Sequence, residues 1–135
     1  MRRKRSNFEY EAAMAADCDR AFRDALSMSH AYDSVLDVAQ LAVTLPAERC
    51  WVSEPQAYKV ISRIARRGVG AVGMMIRSKS RLYMYIWRRV SETRGANESL
   101  KDAVYRVCGE GAPEMFMSPR TLLVKMSRWR KKGKI

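Results

Sequence analysis

The chain has 135 residues, of which 26 are Lys or Arg and 14 are Asp or Glu, so its formal net charge at pH 7 is +12. This length suits one domain or two very small units, and a hydrophobic fraction of 47% is too high for a disordered chain. No segment has the eighteen or so uncharged apolar residues of a membrane helix, and acids follow the basic start where a signal peptide would be apolar. We therefore expect a folded cytoplasmic protein with no membrane contact and an affinity for polyanions.

Residue types that carry catalysis or bind metals are scarce. The cysteines are odd in number and lack CxxC spacing, which favours reduced thiols: Cys18, Cys50 and Cys108. His30 is the only histidine and has no partner nearby in the sequence. Asp17, Asp19 and Asp24 could bind a metal, but acids on an amphipathic helix are usually solvent-exposed. We predict no catalytic residue, no metal and no cofactor, and hence no enzyme.

Three helices are predicted in the first half of the chain. They cover residues 7–29, 35–44 and 54–67, where apolar residues recur at helical spacing. Ser34 and Ser53 stand at the predicted N-caps of the second and third helices, where a hydroxyl accepts from an early backbone N–H. The first half therefore predicts a three-helix unit with a basic N-terminal arm.

Residues 68–73 read Gly-Val-Gly-Ala-Val-Gly, which matches the pattern GxGxxG. A dinucleotide site needs a strand before this pattern and a helix that opens within it, whereas here a basic helix leads into it. The glycines therefore favour a hinge over a cofactor site. We interpret residues 68–79 as a glycine-rich basic linker.

The second half repeats the first at an offset of 65 residues. Ser34 and Ser53 fall on Ser99 and Ser118, and Gly68 falls on Gly133. The corresponding helices are predicted at 80–93, 100–108 and 119–132. The sequence thus predicts a mainly all-α fold of two tandem three-helix units that share one core, with boundaries at 1–67, 68–79 and 80–135.

Aromatic residues have two interpretations in this fold. Tyr83, Tyr85 and Trp87 lie among arginines and could stack on the bases of a single strand, but their helical spacing favours a buried face. Trp51 and Phe116, which precede the third helices, are interpreted in the same way as core residues.

The positive charge is concentrated in two stretches that lack acids, residues 55–91 and those after Glu114. Basic side chains at a helix C-terminus stabilise the helix dipole, but that explains only one pair in each repeat. The predicted nucleic-acid-binding residues are Lys59, Arg63, Arg66, Arg67, Arg77, Lys79, Arg81, Lys125, Arg128, Arg130, Lys131 and Lys132. A basic third helix resembles a helix-turn-helix in outline, although the preceding segments, 45–53 and 109–118, are longer than the usual turn.

Two short motifs carry a resemblance to a group of proteins. They are Cys50-Trp51-Val52-Ser53 and Met115-Phe116-Met117-Ser118-Pro119, each of which opens a basic helix. The pattern resembles small basic tandem-repeat proteins of bacterial phages and mobile elements, a group without an assigned function. The resemblance implies no catalytic residue.

Two functions fit these observations. The first is non-catalytic binding of nucleic acid, DNA more than RNA, through the basic third helices. The second is an assembly or adaptor protein that docks on an acidic protein surface, for which a homodimer is also open. Salt dependence of binding separates the two, because phosphate contacts release counterions.

Overall fold

The computed structural model describes residues 2–135, with side chains from residue 9 onward. This part of the chain contains six α-helices and no strand, which confirms the predicted all-α class. The helices are α1 (Arg2–Met28), α2 (Val35–Thr44), α3 (Glu54–Arg67), α4 (Arg77–Thr93), α5 (Leu100–Gly109) and α6 (Pro119–Lys131). A 3-10 turn, Val69–Val72, stands between α3 and α4. Among the described residues, no helix is both long and apolar enough to span a bilayer.

The helix starts follow from their capping residues. Ser34 and Ser99 accept from the backbone N–H groups three residues on, at 3.1 and 3.0 Å. Ser53 and Ser118 cap α3 and α6 in the same way. Asp37 completes a capping box, and the hydrogen bond from the Ser34 backbone lowers the pKa of this carboxyl. The predicted caps are confirmed.

The helices group into two compact units that differ from the predicted ones. Unit 1 comprises Met1–Ala47 and Pro113–Ile135, and unit 2 comprises Glu48–Ala112. In unit 1, α6 packs on α1 and α2, whereas in unit 2, α3 packs on α4 and α5. We expected each third helix to join the two helices before it, but each unit takes its third helix from the other repeat. Neither repeat therefore forms a helix-turn-helix by itself.

Hydrogen bonds of the connecting segments accompany this exchange. The last carbonyls of a helix have no partner within the helix and need an outside donor. Within unit 2, the Cys50 N–H donates to the Cys108 carbonyl at the end of α5, at 3.0 Å. Within unit 1, the Met115 N–H donates to the Val43 carbonyl at the end of α2, also at 3.0 Å. These two bonds are repeat equivalents, because each pair is related by 65 residues.

The glycine-rich segment lies inside unit 2 rather than between units. Gly68 has φ +86°, a backbone conformation that favours glycine, and it ends α3. Val72 is buried, and α4 begins at Arg77 instead of the predicted residue 80. The predicted linker is thus a structured turn that joins two helices of one unit.

Buried positions reproduce the 65-residue offset along both units. The buried residues of α2 are Val38, Ala39, Ala42 and Val43, and those of α5 are Ala103, Val104, Val107 and Cys108. On α1 and α4 the buried counterparts are Asp17 and Leu82, Cys18 and Tyr83, Ala21 and Ile86, and Ala25 and Val90. Tyr83 is therefore a core residue, as its spacing predicted.

Asp17 is the one charged residue in these matched positions. We expected it to be solvent-exposed, but it is buried because Arg20 reaches it from the next turn of α1. Arg20 donates to Asp17 Oδ1 from Nε at 3.0 Å and from Nη2 at 2.8 Å. Its Nη2 also donates to the Pro46 carbonyl at 2.8 Å. The pair therefore links α1 to the segment that follows α2.

Candidate nucleic-acid interface

Helix α3 separates an apolar face from a cationic one. Lys59, Arg63 and Arg66 stand at i, i+4 and i+7, which places them along one stripe of the helix. Arg63 is half-buried, and the other two are exposed. The buried residues on the opposite side are Ala57, Val60, Ile61 and Ile64. Unit 2 therefore presents a row of cations on the outside of α3.

Helix α6 presents a related row in unit 1. Arg128 and Lys131, both exposed, are the counterparts of Arg63 and Arg66. The row differs at one point. Lys59 corresponds to exposed Val124, and buried Val60 corresponds to Lys125. The cation of α6 therefore stands one residue later than its counterpart on α3. The buried residues of α6 are Leu122, Met126 and Trp129. The displaced cation lies toward α1.

A groove of about 410 Å³ runs between α1 and α6 within unit 1. Lys125, Arg128 and Lys132 line its α6 side, and Lys125 Nζ lies 6.0 Å from the centroid of the Trp129 ring. Tyr10, Glu11 and Met14 line its α1 side. Three cations of the predicted site therefore face one concave surface.

Glu11 is an acid of this groove that the sequence did not single out. The side chains of Lys134 and Lys132 lie at 3.1 and 3.7 Å from its carboxylate, and Trp129 Nε1 donates to it at 3.1 Å. The hydrogen bond from Lys134 is the main reason that the pKa of Glu11 lies below its ordinary value. Glu11 thus holds the end of α6 against α1.

The start of α4 is a third cationic segment. Arg77, Lys79 and Arg81 are exposed and lie in its first turns. The N-cap, Ile76, provides no side-chain hydrogen bond. Because the helix dipole is positive at this end, these cations are electrostatically unfavourable unless an anion lies nearby.

The structure distributes the predicted residues over both units. Seven belong to unit 2: Lys59, Arg63, Arg66, Arg67, Arg77, Lys79 and Arg81. Five belong to unit 1: Lys125, Arg128, Arg130, Lys131 and Lys132. All are exposed except half-buried Arg63 and Lys125. The side chains of the predicted arm, residues 2–5, lie outside the described residues.

Most acidic side chains that form ion pairs in the described chain pair with bases outside the predicted set. These pairs are Arg20 with Asp17 and Asp24, Arg23 with Asp19, Arg49 with Glu54, Arg89 with Glu92 and Glu110, Arg106 with Glu98 and Glu110, and Lys134 with Glu11. Of the twelve predicted residues, Lys132 pairs with Glu11, and Arg81 has a further contact. The other ten form no ion pair with a described carboxylate. These ten cations are therefore available to bind an external anion.

The three cysteines are buried, and the two aromatic residues before the third helices are half-buried. All three thiols are free and buried, and burial raises the pKa of Cys18 and Cys108 to about 12 and that of Cys50 to about 11. Such thiols stay protonated at neutral pH and are poor nucleophiles. Trp51 is half-buried under the Arg49 guanidinium, 5.5 Å from the ring centroid, and Phe116 is also half-buried.

Comparison of the chain with protein-family profiles, curated protein sequences and solved structures finds no match. The resemblance to proteins of phages and mobile elements therefore stays a prediction.

Proposed function

We propose that the protein binds nucleic acid without catalysing a reaction, and that DNA is preferred to RNA. The observation that carries the proposal is the set of ten cationic side chains that lack a described carboxylate partner. They lie on α3, on α6 and at the start of α4. Neighbouring cations without a paired carboxylate repel one another, and a row of phosphates relieves this repulsion.

The shape of the cationic surfaces favours duplex DNA. Lys59 and Arg66 of α3 and Arg128 and Lys131 of α6 lie on exposed helix faces. An α-helix fits the major groove of B-DNA, which is about 12 Å wide. The major groove of A-form RNA is too narrow for side chains to read. Because the cations are arranged along helix faces, we expect phosphate contacts to dominate the affinity.

Salt titration of binding to a short DNA duplex tests the proposal. If roughly six phosphates are neutralised, log K falls with a slope of about −5 against log salt. Arg66→Gln removes one cation of the α3 row and should reduce the magnitude of this slope by about 0.9. Arg23→Gln is the matched control, because Arg23 is also exposed but pairs with Asp19 at 2.9 Å.

Two results would refute the proposal. One is the absence of binding at low salt to duplex DNA, single-stranded DNA and structured RNA. The other is a slope near zero for all three. Binding of an acidic protein that survives nuclease treatment and is abolished by Arg63→Glu with Arg128→Glu would instead favour the adaptor function.

A further inference from the structure

Apolar side chains are exposed where α3 gives way to α4. Residues 68–76 read Gly-Val-Gly-Ala-Val-Gly-Met-Met-Ile, and Met74 is 99% exposed. Val69 and Ile76 are exposed by 52% and 65%. Large apolar side chains gathered in one exposed segment are typical of a contact surface. We call Val69, Met74 and Ile76 the apolar tip of unit 2.

The turn that carries the apolar tip is ordered by its own hydrogen bonds. The backbone N–H groups of Ala71, Gly73 and Met75 donate to carbonyls three residues earlier, at 3.1, 3.0 and 3.1 Å. Val72 is buried in unit 2 and anchors the turn. The backbone on both sides of Met74 is therefore hydrogen-bonded within the turn.

Cations frame the apolar tip along the chain on both sides. Arg66 and Arg67 precede it at the end of α3, and Arg77 and Lys79 follow it at the start of α4. All four are exposed, and none forms an ion pair with a described carboxylate. A purely apolar partner would leave these charges desolvated without compensation. The partner must therefore be anionic and offer an apolar surface between its charges.

We infer that Met74 and Ile76 insert as an apolar wedge between neighbouring bases of the nucleic acid, while the four flanking cations bind phosphates on either side. This inference rests on the proposed function. Stacked bases bounded by phosphate strands supply the required combination, and proteins that kink DNA use Met and Ile among their wedge residues. The wedge predicts a kink at flexible pyrimidine–purine steps.

An anionic lipid surface offers similar chemistry, but the composition of the turn favours nucleic acid. Segments that anchor at a lipid interface usually contribute Trp, Phe or Leu, and residues 68–76 contain none of these. The cationic row of α3 also extends from Arg66 back to Lys59, about 10 Å along the helix axis at 1.5 Å per residue. This linear row of cations matches the phosphates of a nucleic-acid strand better than it matches a flat lipid surface.

The wedge can be tested with the full chain on a duplex of about 20–30 base pairs that has a central TA step. Dyes at both ends report bending by energy transfer, and 2-aminopurine at the TA step reports unstacking of the bases. We expect the unaltered protein to bend the duplex and to raise the 2-aminopurine fluorescence. Met74→Ser with Ile76→Ser should abolish both signals and weaken binding about five- to tenfold. The salt slope should not change, because the cations remain.

Val35→Ser is the matched control, because Val35 is 61% exposed but belongs to unit 1. The Val35→Ser variant should bend DNA as the unaltered protein does.

Bending by the Met74→Ser, Ile76→Ser double variant would overturn the wedge. So would an unaltered protein that binds DNA with the expected salt slope but leaves it straight. The latter result leaves the proposed function intact, whereas no binding at all refutes both. Adsorption to phosphatidylserine vesicles that requires Met74 and Ile76, without DNA bending, would assign the tip to lipid.

Discussion

Replacement of Arg20 by Met should destabilise unit 1 substantially. The Asp17 side chain is fully buried, and Arg20 supplies two of its hydrogen bonds, at 2.8 and 3.0 Å. Removal of one partner of a buried ion pair costs about 3–5 kcal/mol. The Arg20 side chain is 39% exposed, so water can reach the site, and we expect the lower end of that range, about 3 kcal/mol.

The second repeat suggests how to remove the Asp17–Arg20 ion pair without losing stability. The counterpart of Asp17 is Leu82, which is buried and apolar. A double variant, Asp17→Leu with Arg20→Met, replaces the ion pair by apolar side chains. Such replacements are often neutral or stabilising, so we expect the double variant to lie within about 1 kcal/mol of the unaltered protein.

Urea unfolding measured by the fluorescence of Trp129, with Trp51 and Trp87 replaced by Phe in every variant, reports on unit 1. With an m value of about 1.5 kcal/mol/M, a loss of 3 kcal/mol lowers the midpoint by about 2 M. A loss of less than about 1 kcal/mol for Arg20→Met would refute the stabilising role of the ion pair, and so would a double variant that is no more stable than Arg20→Met.

Three further predictions follow from individual contacts. The pKa of Glu11 is lower in the folded protein than its unfolded value near 4.5, so ionised Glu11 stabilises the fold above that pH. This stabilisation is lost as the pH falls through the folded pKa. Glu11→Gln should therefore make the melting temperature decline less steeply below pH 4.5. Ser53→Ala should cost about 1 kcal/mol in urea unfolding, because it removes the α3 cap, and unchanged stability would contradict this role. The thiols of Cys18, Cys50 and Cys108 should react with a thiol reagent only after unfolding, and fast labelling of the native protein at pH 7 would contradict their burial.

Local features of the fold were predictable because they depend on neighbouring residues. Ser34, Ser53, Ser99 and Ser118 cap helices by contacts three residues away, and those contacts can be recognised in the sequence. The grouping of helices was not predictable in this way. Both repeats have apolar helix faces at matching positions. The apolar face of α3 could therefore be buried against α1 and α2 or against α4 and α5. The nine-residue connector 45–53 was the available signal, because it is too long for a helix-turn-helix.

The candidate site was predictable to a similar degree. The exposure of Lys59 and Arg66 can be recognised in the sequence, because their position on α3 follows from the apolar residues beside them. Glu11 was missed because its partner Trp129 is 118 residues away and reaches it only when α6 joins α1. Asp17 was assigned to the surface because a single carboxylate rarely enters a core. Its apolar counterpart Leu82 was the signal that it would be buried.

The exchanged third helices also set an order of events during synthesis. Unit 2 is one continuous segment, Glu48–Ala112, and all its helices have emerged before α6 is made. The first two helices of the chain, by contrast, wait with apolar faces uncovered until Pro113–Ile135 leaves the ribosome. Loss of Pro113–Ile135 would consequently not remove a dispensable segment. It would deprive α1 and α2 of the helix they pack on and expose them to chaperones and proteases.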